Sequence, residues 1–125
     1  SRLMKDGIGE GYTRKDHQDI SNQLFASYAK VQDARSLASV IGEDELSDID
    51  KKHMAFGRLF EQVFVGQGFN VNRSMEETLN LGWALLSTLP VEALDRLDSE
   101  LIKRNYDPDH AMATIEMITK HEGEY

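Results

Sequence analysis

The sequence predicts an all-α fold, a bundle of five to seven short helices preceded by a Gly-rich amino-terminal arm. Three observations carry this. Apolar residues recur at steps of three and four along most of the chain, no segment sustains the period-two alternation of a half-buried strand, and capping residues, Gly and Pro stand where helices should begin and end. The 125 residues contain 22 Asp plus Glu against 14 Lys plus Arg, a net charge of -8, and no cysteine. A chain of this length buries roughly two thirds of its unfolded surface, so an ordinary core suffices.

The arm comes first. Gly7, Gly9 and Gly11 fall within five positions, which reads as a loop free to adopt positive φ. Residues 1–15 carry a charge of +2 and the remainder -10, so the arm is chemically distinct from the body. Thr13 followed by Asp16 resembles a weak capping box, opening a helix in which Ile20, Leu24, Tyr28 and Val31 form one stripe. A second apolar set, Val31, Leu37, Ala38, Val40 and Ile41, runs up to Gly42, a candidate left-handed residue at the helix end.

An acidic turn follows. Ser47 with Asp50 forms the next cap, and Ile49, Met54, Phe56, Leu59, Phe60, Val63 and Phe64 define a strong apolar face ending at Gly66 and Gly68. This reads as the longest helix and the centre of the core. Ser74 with Glu77 is the best capping box of the chain and precedes Met75, Leu79, Trp83, Leu86 and Leu89, with Pro90 as the stop. Shorter helical pieces are expected at 91–97, 99–105 and 108–121, the last with an isolated stripe of Ala111, Ile115 and Ile118 beside Met112 and Met117. There is no internal repeat and no low-complexity stretch.

Composition excludes several functions. Without cysteine there is no disulfide framework, Cys nucleophile or thiolate metal site, and a reducing compartment suits the chain. The longest apolar run, Trp83 to Leu86, is far short of the ~20 residues that span a bilayer, so neither a transmembrane helix nor a signal peptide is expected. The acidic balance argues against nucleic acid or anionic membrane as a partner. Gly7-Ile8-Gly9-Glu10-Gly11 lacks the preceding strand and the closing Gly-Lys-Ser/Thr of a phosphate loop. His17, His53, His110 and His121 lack metal-ligand spacing, so no metal is expected, and His53 reads as a packing or surface residue. The acids from Asp44 to Asp50 lack calcium-loop spacing, and no serine sits in a nucleophile elbow.

Two features remain. Arg2, in Ser1-Arg2-Leu3, is a guanidinium ahead of a glycine loop and a candidate phosphate contact. Glu43, Asp44, Glu45, Asp48 and Asp50 place five carboxylates in eight residues at a helix junction, where some of them also favour the positive end of the next helix dipole.

The run SRLMKDGIGEGYTRKDHQDISNQLFASYAKVQD resembles the region leading into the carboxy-terminal helical domain of the B subunit of archaeal A-type ATP synthases and V-type ATPases. The resemblance continues through LASVIGEDELSDID, FVGQGFNVNRSMEETLNLGWALLSTLP and RNYDP, covering about residues 1–107. It implies a non-catalytic, regulatory subunit alternating with catalytic A subunits around a central stalk, peripheral on the cytoplasmic side of the membrane. Residues 1–12 would then be an arm left from a preceding nucleotide-fold domain, 13–107 the helical bundle, and 108–125 a variable tail.

The same resemblance gives Arg2 the role of a trans arginine finger reaching nucleotide held by the A subunit. It implies no cofactor in the isolated chain, with ATP or ADP and Mg at the A/B interface. The segment DELSDID is similar to the stalk-facing DELSEED loop of F-type catalytic subunits, with Ile49 where that loop has the second of its two adjacent glutamates. Stalk contact is therefore expected at Glu43, Asp44, Glu45, Ser47, Asp48 and Asp50. The same residues are compatible with an autonomous all-α interaction module without catalytic role. An independent nucleotide-binding protein is a weaker alternative, since it would need a phosphate loop.

Overall fold

The computed structural model describes residues 14–66 and 75–122. Among the described residues five helices follow one another: α1 (Arg14–Ile41), α2 (Asp48–Phe60), α3 (Met75–Leu86), α4 (Ser99–Asn105) and α5 (Ala111–Glu122). Glu43–Glu45 and Val91–Ala93 form 3-10 turns, and Glu61–Gly66 continues α2 as a π-helical turn. Among the described residues there is no strand, so the all-α expectation holds. The glycine arm, the Thr13 and Ser74 caps and Gly68 lie outside the described residues.

The longest helix is α1, not α2 as the apolar face of the latter suggests. Its 28 residues extend about 42 Å. It buries Ile20, Gln23, Ser27, Val31 and Ala34 at helical steps, with Leu24 and Tyr28 partly covered. Two of these are polar, which is why the apolar stripe is thin. The second apolar set divides at its end: Val31 is fully buried, whereas Leu37, Val40 and Ile41 face solvent. Gly42 ends the helix at φ 92° and ψ 144°, a positive φ as expected but with extended ψ rather than the left-handed helical value. That region belongs to glycine on conformational grounds, since a Cβ there would meet nothing within 4 Å.

Helix α2 begins where the sequence places it. Ser47 Oγ accepts from Asp50 N at 3.3 Å, and Asp48 and Asp50 occupy the first turn beside the positive dipole end. Phe56, Phe60 and Phe64 form an aromatic row, and Phe60 also packs against Tyr28 of α1 with ring centroids 5.0 Å apart. The centre of the core belongs to α3, where every residue from Leu81 to Ser87 is buried. A helix covered on all sides needs no amphipathic stripe, and its near-continuous apolar run is the sequence trace of that position.

The end of α3 comes before Pro90. Ser87 N still bonds Trp83 O, but Thr88 N and Leu89 N bond Leu85 O and Leu86 O at 3.1 Å, a tightened last turn that leaves Leu89 free to precede proline. Asp98 caps α4 by accepting from Leu101 N at 2.9 Å. Tyr106 Oη donates to Leu89 O at 2.7 Å and Asp107 N to Ser87 Oγ at 3.0 Å, tying the α4–α5 connection to the end of α3. Helix α5 then lies on α3, contributing Ala111 and Ile115 to the buried core. Its stripe is therefore not isolated.

Candidate functional site: the acidic α1–α2 junction

The junction forms because α1 ends at a glycine and α2 cannot begin until Ser47 caps it. Between them Leu46 turns inward, buried with Ala34 and Met54 in a small satellite core against which Ala38 packs. Anchoring the turn at Leu46 leaves its neighbours outside: Glu43, Asp44, Glu45, Ser47 and Asp48 are all exposed. Arg58 of α2 holds Glu43 through an Nη2 to Oε2 contact of 2.8 Å on the surface. Ser47 serves as the helix cap, so its hydroxyl has a structural task already.

Asp50 is different from the other acids. It is half-buried and, with Ile49 and His53, lines a groove of about 560 Å³ whose other wall includes Lys30 and Asp33 of α1 and Arg96. His53 is buried, and its Nδ1 lies 3.0 Å from Ile49 O, the geometry of a ring N–H donating within its own helix. The packing reading of this residue is correct. Among the described residues no group of three or more His, Asp or Glu side chains is arranged to hold a metal ion. No described helix is long and apolar enough to cross a membrane.

Two buried or bridging polar arrangements have no signature in the sequence. Gln23 of α1 donates to Ser27 Oγ at 3.0 Å and to Ala93 O at 3.4 Å, and its Oε1 accepts from Arg96 N at 2.7 Å, binding α1 to the turn after α3. At the far end of α2, Arg35 grips Glu61 with both nitrogens, at 2.7 and 2.8 Å, and Tyr28 Oη donates to the same carboxylate. The Arg35 hydrogen bonds, then that of Tyr28, hold the Glu61 carboxyl down to about 2. Tyr28 is raised in turn, chiefly by its hydrogen bond to Glu61. The π-helical turn that starts at Glu61 offsets the helix register there, and no local spacing rule links Glu61 to a residue 26 positions away.

Of the residues singled out from the sequence, the structure gathers Glu43, Asp44, Glu45, Ser47, Asp48 and Asp50 at one exposed end of the α1–α2 pair. Arg2 lies outside the described residues.

The described residues form an all-α bundle with an acidic, solvent-facing helix junction. Its sequence matches the model of the C-terminal domain of V and A type ATP synthase over residues 6–106, and the chain belongs to that family. It is 62% identical over 109 residues to the V-type ATP synthase beta chain 2 of Clostridium tetani (strain Massachusetts / E88), covering 87% of this chain and 24% of that protein. It is 57% identical over 110 residues to the B subunit of the A-type ATP synthase of Saccharolobus islandicus (strain L.S.2.15 / Lassen #1), covering 88% and 24%. Identity to the corresponding protein of Sulfurisphaera tokodaii is 58% over 110 residues, covering 88% and 23%. The chain thus spans about a quarter of the length of these relatives, and the family match ends before α5 begins.

Proposed function

We infer that this chain acts as the carboxy-terminal helical part of a non-catalytic B subunit in a rotary ATP synthase or ATPase of the A or V type. The observation that carries the reading is the family match across residues 6–106, together with relatives that are B subunits of A-type ATP synthases. In this reading the bundle packs beside catalytic A subunits and its acidic junction meets the central stalk. The complex would work at the cytoplasmic face of a membrane, with this chain peripheral to it.

Arg2 is the group through which the chain would touch chemistry. Mg-ATP or Mg-ADP would be held by the A subunit, and the chain's contribution is one guanidinium delivered across the interface. A guanidinium offers paired N–H donors where charge accumulates on the transferred phosphoryl group, a geometry that lysine lacks. The exposed carboxylates Glu43, Asp44, Glu45 and Asp48 would form a separate contact, where negative charge and helix start coincide.

Reconstitution of the full-length subunit with A subunits and the stalk tests this reading. Assembly with both, weakened by neutralising Glu43, Asp44, Glu45 and Asp48, is the expected outcome. An autonomous module would instead show no assembly with either component.

A further inference from the structure

Helices α3 and α5 lie against each other without filling the space between them. A groove of about 550 Å³ remains, walled by Asn80, Trp83, Ala84 and Ser87 from α3 and its last turn and by Thr114 and Met117 of α5. From Glu77 through Asn80 and Ala84 to Ser87 the wall follows one helix face at steps of three and four, a length of about 15 Å. The volume falls within the roughly 300–1,000 Å³ typical of ligand sites.

Trp83 sets this groove apart. The residue is 4% exposed, and its Nε1 is the one buried side-chain nitrogen or oxygen among the described residues that has no hydrogen-bond partner. A buried N–H without an acceptor is costly, and folded proteins leave few of them. The outer wall is held lightly enough to admit an acceptor, since among the described side chains of α5 only Ala111 and Ile115 are buried. Glu77 and Asp107 share the groove with Arg104, and Asp107 Oδ2 lies 2.8 Å from His110 Nδ1. Charges of both signs along one groove favour a ligand without net charge.

We propose that the groove between α3 and α5 binds an extended, uncharged peptide segment, one of whose backbone carbonyls accepts from Trp83 Nε1. The length of the groove corresponds to about four to five extended residues. Asn80 and Thr114 can each donate and accept, which is what the N–H and C=O groups of a peptide require of their surroundings. Ala84, Met117 and Ile118 offer apolar surface for aliphatic side chains of the same segment. The α5 wall lies beyond the family match, which ends at residue 106, so this site stands independently of the stalk reading.

The experiment follows the indole N–H resonance of Trp83 by NMR in the full-length subunit, identified by its absence from Trp83→Phe. The probe is N-acetyl-leucine N-methylamide, one aliphatic side chain between two peptide groups. A saturable shift of that resonance is expected, with a Kd of about 1 mM, ordinary for a ligand of so few atoms. Thr114→Phe fills the groove from its half-buried α5 wall and should weaken binding at least about tenfold, with circular dichroism unchanged. Asn80→Ala adds no bulk, should weaken binding severalfold, and decides the matter where Thr114→Phe loses helix. A shift that grows linearly with probe, or wild-type binding by both variants, overturns the site. N-acetylleucine, with a free carboxylate, should bind more weakly than the blocked probe, and tighter binding would overturn the assignment to an uncharged peptide.

Discussion

Val31 of α1 and Gly57 of α2 meet so closely that a Cβ on Gly57 would lie 2.4 Å from Val31 Cγ1. Both residues are buried, and Val31 is stiff about its single side-chain torsion, so neither helix can give way easily. This contact sets how near the two helices run, and hence where the α1–α2 junction and its groove are held. Gly57→Ala gains up to about 1 kcal/mol of helix propensity but forces the helices apart, at a cost of about 1–3 kcal/mol for an overpacked core. The expected net effect is destabilisation, seen as a lower urea midpoint. Adding Val31→Ala should recover part of the loss relative to Val31→Ala alone, a coupling that two independent sites would not show.

The acid limb of stability should report on Glu61. Its carboxyl is held to about 2 by Arg35 and Tyr28, below the ordinary value of 4.5 in the unfolded chain. Because the folded-state value is the lower one, the stabilisation is fully present above pH 4.5 and is lost as the pH falls toward about 2. Glu61→Gln should therefore be less stable than the wild type at pH 7 and converge on it at the acid end of that window. The carboxylate is about a third exposed, so solvent screening keeps the difference to ~1 kcal/mol. Chemical denaturation at a series of pH values checks this, and parallel curves for the two proteins would contradict it.

Sequence and structure agree best where the deciding interactions are local. The Ser47 cap, the stripe of Ile20, Leu24 and Tyr28, the glycine at the end of α1 and the exposed acids are all set within one or two turns of chain. Gln23 has no such trace, because its partners Ala93 and Arg96 lie 70 and 73 residues away and a buried glutamine has no local signature. The burial of the second half of α3 on all sides is half legible, as an apolar run without a polar face. Asp98, three residues before Leu101, is a readable cap that the short length of α4 obscures. The exposure of Leu37, Val40 and Ile41 is not legible at all, because helical spacing records which residues share a face and not whether anything covers it.

Ser47 and its acidic neighbours should separate cleanly into stability and association. Ser47→Ala removes the acceptor for Asp50 N and should cost ~1 kcal/mol of unfolding free energy. Neutralising the exposed Asp44 and Glu45 should change stability by less than about 0.5 kcal/mol, as for surface positions in general. In the assembled complex the order should reverse: the Asp44→Asn, Glu45→Gln pair weakens stalk association at low salt and Ser47→Ala leaves it near the wild-type level. Thermal melts and stalk binding measured on the same preparations give both readings.

Arg2 supplies the sharpest test of the proposed catalytic contribution. If its guanidinium reaches the nucleotide on a neighbouring subunit, Arg2→Lys keeps a positive charge but loses the planar pair of donors. Trans arginines in other nucleotide hydrolases are worth roughly 10³ to 10⁵ in rate, and a lysine that retains charge should forfeit roughly 10² to 10³ of that. The measurement is ATP turnover at saturating nucleotide in the reconstituted complex, with size-exclusion chromatography showing that assembly is intact. Loss of turnover with assembly preserved supports the finger. Turnover at the wild-type rate removes Arg2 from the catalytic machinery while leaving the family membership and the acidic junction untouched, because neither depends on that residue.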